Sequence, residues 1–384
     1  MSPEKPEIVF IIPDLLGGVS SFNFNIINFS RIKRLFHSRV ILMKEEGDAR
    51  PCFTEDFEAD EQIIFNFSHY ENQYHLQKRL NEALGNLPGA IVTDSGLVVE
   101  AARRFDNPKT IFSLIHDFYY VDQQTRVGDW VDVAVAHASF FSDCVFAANP
   151  EAFANRSFYI PYGVQQLKTF PEKETGNLNL VFLGRLEEGK GVLKLFQLQQ
   201  ELEKLGIKVN WTIIGKGSLK EFIVNQWTRY KVNFHEPGTT KEIYQILSTQ
   251  DIFILPTAFE GTPVSILECL ANGVVTITND LPGGIRDIIK DDIGYRCKYN
   301  DITEYVNRIQ LLHNNRHLLK RMQVECFDLA HKFYDININA DKYFELFSRF
   351  KEFKRAKKSK AKKLIKLDMP FIPNCFTRTI RRFK

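Results

Sequence analysis

Arg185, Lys190, Glu260 and Glu268 have the residue types and the spacing for chemistry on a diphosphate. The two cations lie in Gly184-Arg185-Leu186-Glu187-Glu188-Gly189-Lys190-Gly191, directly after the apolar run Leu178 to Leu183. The two carboxylates fall in Phe259-Glu260-Gly261-Thr262-Pro263-Val264-Ser265-Ile266-Leu267-Glu268, an E-x7-E spacing. Arginine offers a planar fork of donors matched to phosphate oxygens, lysine adds a mobile point charge, and glycine lets backbone come close to a ligand. Together Gly184, Arg185 and Lys190 read as a diphosphate clamp rather than a solvated charge cluster. The turn Gly215-Lys216-Gly217 follows another apolar run, Val209 to Ile214. It lacks the full dinucleotide fingerprint, yet successive strand ends of one sheet share a rim, so it gains meaning beside the clamp. The loop Glu236-Pro237-Gly238 belongs to the same rim, either as a base-binding loop or as a plain connection.

The first half of the chain offers two further points. Gly17 and Gly18 follow the apolar run Glu7 to Ile12 and precede a helical pattern from about Val19. Free amides at that helix start suit an anion or substrate approach, with a simple tight turn as the alternative. His116 follows the apolar run Thr110 to Ile115, which puts it at a strand end, where a functional histidine competes with a structural one. Ser139 has the look of a helix cap near that rim. No nucleophile-elbow motif with Ser, His and an acid is present, so covalent hydrolase chemistry is disfavoured.

These residues need strands that end on one rim. Further strands are predicted at Arg39 to Met43, Gln62 to Phe65, Ala90 to Thr93, Val131 to Ala134, Val145 to Ala147 and Ser157 to Ile160, with helical patterns between them. In the second half they are predicted at Val232 to His235, Asp251 to Leu255 and Val274 to Thr278. Alternation of this kind argues for a parallel α/β sheet in each half. Thr262 is placed to cap, and Pro263 to open, a helix that runs to Asn272-Gly273. The polar stretch Gln165 to Asn177 has a linker's composition, and a last helix is expected from about Ile338 to Phe353.

At 384 residues, 44% hydrophobic and 25% charged, the chain is sized and composed as a soluble two-domain protein. No signal peptide or membrane-spanning run is read, which predicts a cytoplasmic location. Its six cysteines lack metal-ligand spacing and read as incidental thiols. The net charge of +3 hides an uneven distribution. Lys351, Lys354, Arg355, Lys357, Lys358, Lys360, Lys362, Lys363 and Lys366 crowd one segment, and Arg378, Arg381, Arg382 and Lys384 follow. An anionic membrane surface, with Phe350, Phe353, Leu364, Ile365, Met369, Phe371, Ile372 and Phe376 for shallow insertion, is preferred over a solvated tail. Nucleic acid is disfavoured because no aromatic recognition motif accompanies the basic residues.

In order along residues 7 to 335, Gly17-Gly18, His116, Ile160-Pro161-Tyr162-Gly163-Val164, Gly184-Arg185, Lys190-Gly191, Gly215, Gly217 and Glu260 to Glu268 resemble the retaining nucleotide-sugar glycosyltransferases of family GT4. The resemblance implies the GT-B fold, two Rossmann-like domains facing each other across a cleft. It implies an acceptor-side domain over 1–163, a nucleotide-sugar domain over 164–337, a return helix over 338–353 and a basic, aromatic tail over 354–384. Arg185 and Lys190 then hold the donor diphosphate, Glu268 accepts from the ribose, and Glu260 binds sugar hydroxyls. His116 contacts the donor sugar, Gly17 and Gly18 let pyrophosphate and acceptor approach, and Gly184, Gly215, Gly217, Gly261, Thr262, Pro263 and Val264 line the donor pocket. The implied reaction is retaining transfer from a nucleotide diphosphate sugar, a UDP-sugar before a GDP-sugar, to a hydroxyl of a growing, lipid-linked surface glycan. His116, Arg185, Lys190 and Glu260 are its catalytic candidates, with no metal and no cofactor beyond the donor. A nucleotide-sugar epimerase and a non-catalytic nucleotide- or glycan-binding protein are the competing readings. Thr262-Pro263-Val264 departs from the aromatic and glycine residues of many relatives, and Lys216 from their acidic residue, which leaves base and sugar open.

Overall fold

The structure is a computed structural model, described for residues 5–238, 242–355 and 364–382. The chain divides into two units, residues 1–161 with 337–384, and residues 162–336.

In the first unit, β1 (Glu7–Pro13), β2 (His37–Glu45), β3 (Glu61–Phe67), β4 (Gly89–Thr93), β5 (Thr110–Ile115), β6 (Val133–Ala136) and β7 (Ser157–Tyr159) form one sheet in the order β3-β2-β1-β4-β5-β6-β7. Every pair is parallel, with Ile11 opposite Thr93 at the carboxyl end of β1 and β4. Both faces are covered by helices, which is why Ile8 to Ile12 and all of β4 and β5 are buried, with no alternation of buried and exposed residues. The helix Ile336–Ser348 covers part of one face. Its Phe347 packs edge-on against Phe10 at 6.0 Å and Phe112 at 5.1 Å between ring centroids. Phe353, in the short helix Phe350–Phe353 that follows, meets Phe112 and Phe158.

The second unit carries β8 (Leu178–Leu183), β9 (Val209–Ile214), β10 (Phe234–Gly238), β11 (Ile252–Leu255), β12 (Val275–Asn279) and β13 (Gly294–Cys297), ordered β10-β9-β8-β11-β12-β13 and parallel throughout. In both sheets the strand order reverses once, between β1 and β4 and between β8 and β11. Open parallel sheets bind ligands in the crevice outside such switch points.

Several expectations shift. Val145 to Ala147 is not a strand but lies inside the helix Ser139–Ala148. Three apolar residues do not distinguish a strand from one buried helical turn. Ser139 is the first helical residue there, and Ala138 holds the cap position. Pro263 likewise sits at the cap in an extended conformation, ψ 111°, so the helix opens at Val264 rather than Pro263. The helix after β10 is Ile243–Ser248, with residues 239–241 outside the described ones. The lysines at 357, 358, 360, 362 and 363, and Lys384, also lie outside the described residues.

The remaining cations of the basic segment are largely tied to the first unit. Lys354 donates to the carbonyls of Asn107 and Lys109, and burial lowers its ammonium to about 8. The Arg355 guanidinium lies over the Phe153 ring at 5.8 Å, and its backbone amide donates to Asp132 Oδ1 at 3.0 Å. Arg378 pairs with Glu71 at 3.1 Å and Glu46 at 3.2 Å, and Arg381 pairs with Asp368 at 2.8 Å. These four contradict a reading in which the whole basic block is a solvated or lipid-facing tail.

Candidate functional site

The loops after β8 and β11 flank the switch point of the second unit. They are laced together by backbone. Gly184 donates its amide to the Ile214 carbonyl at 3.0 Å, and Leu186 donates to that of Lys216 at 2.8 Å, joining the turns after β8 and β9. A Cβ on Gly215, at φ +155°, would stand 1.9 Å from the Gly184 carbonyl oxygen, and one on Gly217 would stand 2.3 Å from that of Leu186. No side chain fits such a crossing. The loop after β8 also closes onto the loop after β11. Ala258 donates to the Gly189 carbonyl at 2.9 Å, and Gly191, at φ +72°, leaves only 2.0 Å between an added Cβ and the Pro256 carbonyl oxygen.

That lacing sets two charges against each other. Lys190, at the end of the 3-10 turn Glu188–Lys190, donates from Nζ to Glu260 Oε1 at 2.6 Å. Both side chains are largely buried, 21% and 10% exposed, so the pair sits where attraction is stronger than in water. Arg185 is different. Its guanidinium is 66% exposed and bonds Glu187 Oε2 at 2.6 Å, an arrangement that an incoming anion can displace at little cost. Gly261 and Thr262 pack against Gly284, whose amide donates to the Gly261 carbonyl at 2.9 Å. The Thr262 hydroxyl is buried without a hydrogen-bond partner among the described residues.

Glu268 lies farther along the helix Val264–Ala271 and is not part of the Lys190 pair. No ion pair to its carboxyl is found among the described residues, and desolvation alone pushes it up to about 7. Tyr244 stands near enough to feel its charge, although burial is the larger cause of that phenol's upward shift. A carboxyl left without a cation in a partly buried place is suited to accept two neutral hydroxyls.

In the first unit, the strand ends place Gly17 and Gly18 after β1, Asp94 after β4 and His116 after β5. The His116 ring lies against His137 at 4.7 Å, Tyr120 at 5.0 Å and Phe22 at 5.5 Å. Burial lowers His116 to about 3, so it is a neutral imidazole, a hydrogen-bonding group rather than a cation. Its Nε2 is 3.8 Å from Asp94 Oδ2. Burial pushes the Asp94 carboxyl up to about 6, and a hydrogen bond from Tyr120 opposes that shift. Asp117, next to His116, caps the helix Phe118–Val127 by accepting from the Tyr119 amide at 2.8 Å. His137 Nδ1 lies 2.7 Å from the Tyr343 hydroxyl, which donates to the Ile160 carbonyl at 2.6 Å.

A cavity of about 370 Å³ opens at the same end of this sheet, lined among others by Asp14, Lys44, Glu45, His69, Asp94, Tyr119 and Gln123. Neither His116 nor the glycine pair lines it. Sequence reasoning passed over Asp94, Tyr120 and His137. Asp94 follows the strand Ala90 to Thr93, so the strand-end rule that selected His116 could have found it. Among the described residues, no cluster of three His, Cys, Asp or Glu side chains is arranged for a metal ion.

Comparison with known proteins bears on the family and the fold. Residues 165–325 match the family model described as "Glycosyl transferases group 1". The chain is 31% identical over 115 residues to the Campylobacter jejuni N,N'-diacetylbacillosaminyl-diphospho-undecaprenol alpha-1,3-N-acetylgalactosaminyltransferase, a match covering 30% of each chain. It is 22% identical over 282 residues to the Escherichia coli UDP-Gal:alpha-D-GlcNAc-diphosphoundecaprenol alpha-1,3-galactosyltransferase, covering 66% of this chain and 72% of that one. The solved structure of Anabaena HepE in complex with UDP superposes with a TM-score of 0.69 at 13% identity, over 89% of this chain and 99% of that one.

Proposed function

We propose that this chain, which has the GT-B fold and matches the group 1 glycosyl transferases over residues 165–325, is a retaining transferase that moves a sugar from a UDP-sugar to a hydroxyl of a lipid-linked glycan. The observation that carries the reading is the Lys190–Glu260 pair at the β8/β11 switch point, with Arg185 on the same loop and Glu268 on the following helix. The relatives named for diphospho-undecaprenol acceptors support the acceptor class, and the one named for UDP-Gal supports the donor class.

The chemistry follows from where charge grows. As the bond between anomeric carbon and diphosphate breaks, negative charge develops on the leaving oxygens and positive character on the sugar. Lys190 and Arg185 answer the first, exchanging their carboxylate partners for phosphate oxygens. Released from Lys190, Glu260 faces the sugar, where it binds hydroxyls and favours the positive transition state. Glu268 orients the ribose. Neutral His116 offers a hydrogen bond to the sugar without adding a positive charge that would oppose the reaction. The acceptor oxygen bonds to the anomeric carbon on the face from which the diphosphate leaves, and the departing phosphate takes the acceptor's proton, so no protein base is required. The 370 Å³ cavity of the first unit is the place for the acceptor, and the basic C-terminal segment recruits the protein to the anionic membrane that carries it.

The test is binding of a panel of nucleoside diphosphates and nucleotide sugars to the wild-type chain and to Glu268→Ala. Selective uridine binding that the variant loses supports the reading. A folded wild-type chain that binds no nucleotide overturns it, and formation of a donor epimer without acceptor-dependent product assigns the site to a different reaction.

A further inference from the structure

Residues 364–382 fold onto the first unit with their polarity reversed. Asn72 anchors them, its Nδ2 donating to the carbonyls of Leu367 at 3.0 Å, Met369 at 3.2 Å and Ile372 at 3.1 Å, while its amide donates to Asn374 Oδ1 at 2.8 Å. The Gln73 amide donates to Asp368 Oδ1 at 2.7 Å. Arg378 and Arg381 turn inward to Glu46, Glu71 and Asp368. The large apolar side chains turn outward: Phe371 is 78% exposed, Ile365 60% and Phe376 53%. A segment made only for water would do the opposite, leaving the arginines solvated and packing the phenylalanines.

We infer that this outward face is a docking surface for an anionic lipid bilayer. Phe371, Phe376 and Ile365 enter the boundary between headgroups and acyl chains, and the exposed Lys366 and Arg382 beside them meet acidic headgroups. Charge selects this partner. Asp368 is the sole acidic residue after Glu352 in the sequence, and Arg381 neutralises it, so the segment itself contributes no free negative charge. Five lysines occupy the sequence 356–363 immediately before it. A protein partner would not require that uniform sign, whereas acidic lipid does.

The position of the face gives it a purpose. Its anchor Glu46 and its neighbour Tyr70, over whose ring Arg382 lies at 5.9 Å, adjoin Glu45 and His69 in sequence. Glu45 and His69 pair at 3.0 Å and both line the 370 Å³ cavity. Docking through the strap therefore sets that cavity beside the bilayer, where a lipid-linked acceptor is presented. The choice of a bilayer rests on the lipid-linked acceptor proposed above; the identity of the contact residues does not.

Co-sedimentation of the full chain with vesicles of phosphatidylcholine plus phosphatidylglycerol, and with vesicles of phosphatidylcholine alone, tests it. The wild type is expected to partition to the anionic vesicles. Phe371→Ser/Phe376→Ser should lose at least about tenfold in partitioning while its melting temperature and nucleotide binding stay unchanged. Phe371→Trp should show a blue-shifted emission on anionic vesicles only. Equal partitioning of the serine variant and the wild type would overturn the assignment of this face and leave recruitment by the basic segment standing. No vesicle binding by the wild type would overturn both, while leaving nucleotide binding as an independent measure of the transferase reading. Concentration-dependent dimerisation that the serine variant abolishes, without vesicle binding, would assign the face to a second copy of the chain instead.

Discussion

Raising the pH from 6 to 8 should strengthen binding of an intact UDP-sugar about tenfold, and Glu268→Gln should remove that dependence. Burial pushes the Glu268 carboxyl up to about 7. With that value the ionised fraction is about 0.09 at pH 6 and about 0.91 at pH 8, a ratio worth about 1.4 kcal/mol. Ribose hydroxyls donate to a carboxylate better than to a carboxylic acid, so the donor prefers the ionised form and is taxed by its scarcity at low pH. The neighbours Tyr244 and Cys269 are both held above their ordinary values, chiefly by burial, so neither ionises in this range. A nucleotide sugar has no phosphate group titrating there either. Isothermal titration calorimetry in two buffers of different ionisation enthalpy reads both the affinity and the proton released on binding, close to one per donor at pH 6. An affinity that does not change between pH 6 and 8 in the wild type, or an undiminished slope in the glutamine variant, would refute the ribose assignment. The same raised value bears on stability. An acid whose folded value lies above its unfolded one favours the fold while neutral, so stability falls as pH rises from about 4.5 towards 7, by at most about 3 kcal/mol. Glu268→Gln should accordingly raise the melting temperature at pH 8 and leave it unchanged at pH 4.

Arg185→Ala should lower kcat/KM for the donor by about 10² to 10³, as for loss of one group aimed at developing charge, whereas Glu187→Gln should retain full turnover because it removes only a competing partner. Steady-state rates with the donor varied check both. Lys109→Met should destabilise the first unit by about 1–3 kcal/mol, because buried Glu7 loses the ammonium that stands 2.7 Å from its Oε2 and keeps only Arg39, at 3.1 Å from its Oε1; thermal unfolding followed by circular dichroism reads the loss.

The strand-turn-helix units were legible because each is local. The runs before Gly184 and Gly215 are mostly apolar, broken only by Asn179, Asn210 and Thr212, and the glycines that follow them are those whose backbone crosses a neighbouring loop. Contacts made across the chain were not legible. Lys190 and Glu260 were each singled out as ligand-binding groups, but seventy residues of sequence conceal that they pair. Arg378 reads with the lysines as part of one repelling block, because its carboxylate partners Glu46 and Glu71 lie more than three hundred residues away. Burial was equally silent in the sequence. Nothing in the motif around His116 says that its ring is enclosed by Phe22, Tyr120 and His137 and stays neutral.

The first unit is discontinuous, beginning with residues 1–161 and ending with residues 337–384. On a ribosome adding roughly 5–20 residues per second, its sheet emerges roughly 10–35 s before the helix that supplies Phe347 to Phe10 and Phe112. During that interval part of one apolar face of a seven-stranded sheet, around Phe10 and Phe112, lacks its cover, while the inserted unit, encoded without interruption, completes itself. The nascent chain is thus a client for chaperones over a defined window. Synonymous changes that slow translation across 162–336 lengthen that window and should raise the aggregated fraction without altering a single side chain of the finished enzyme.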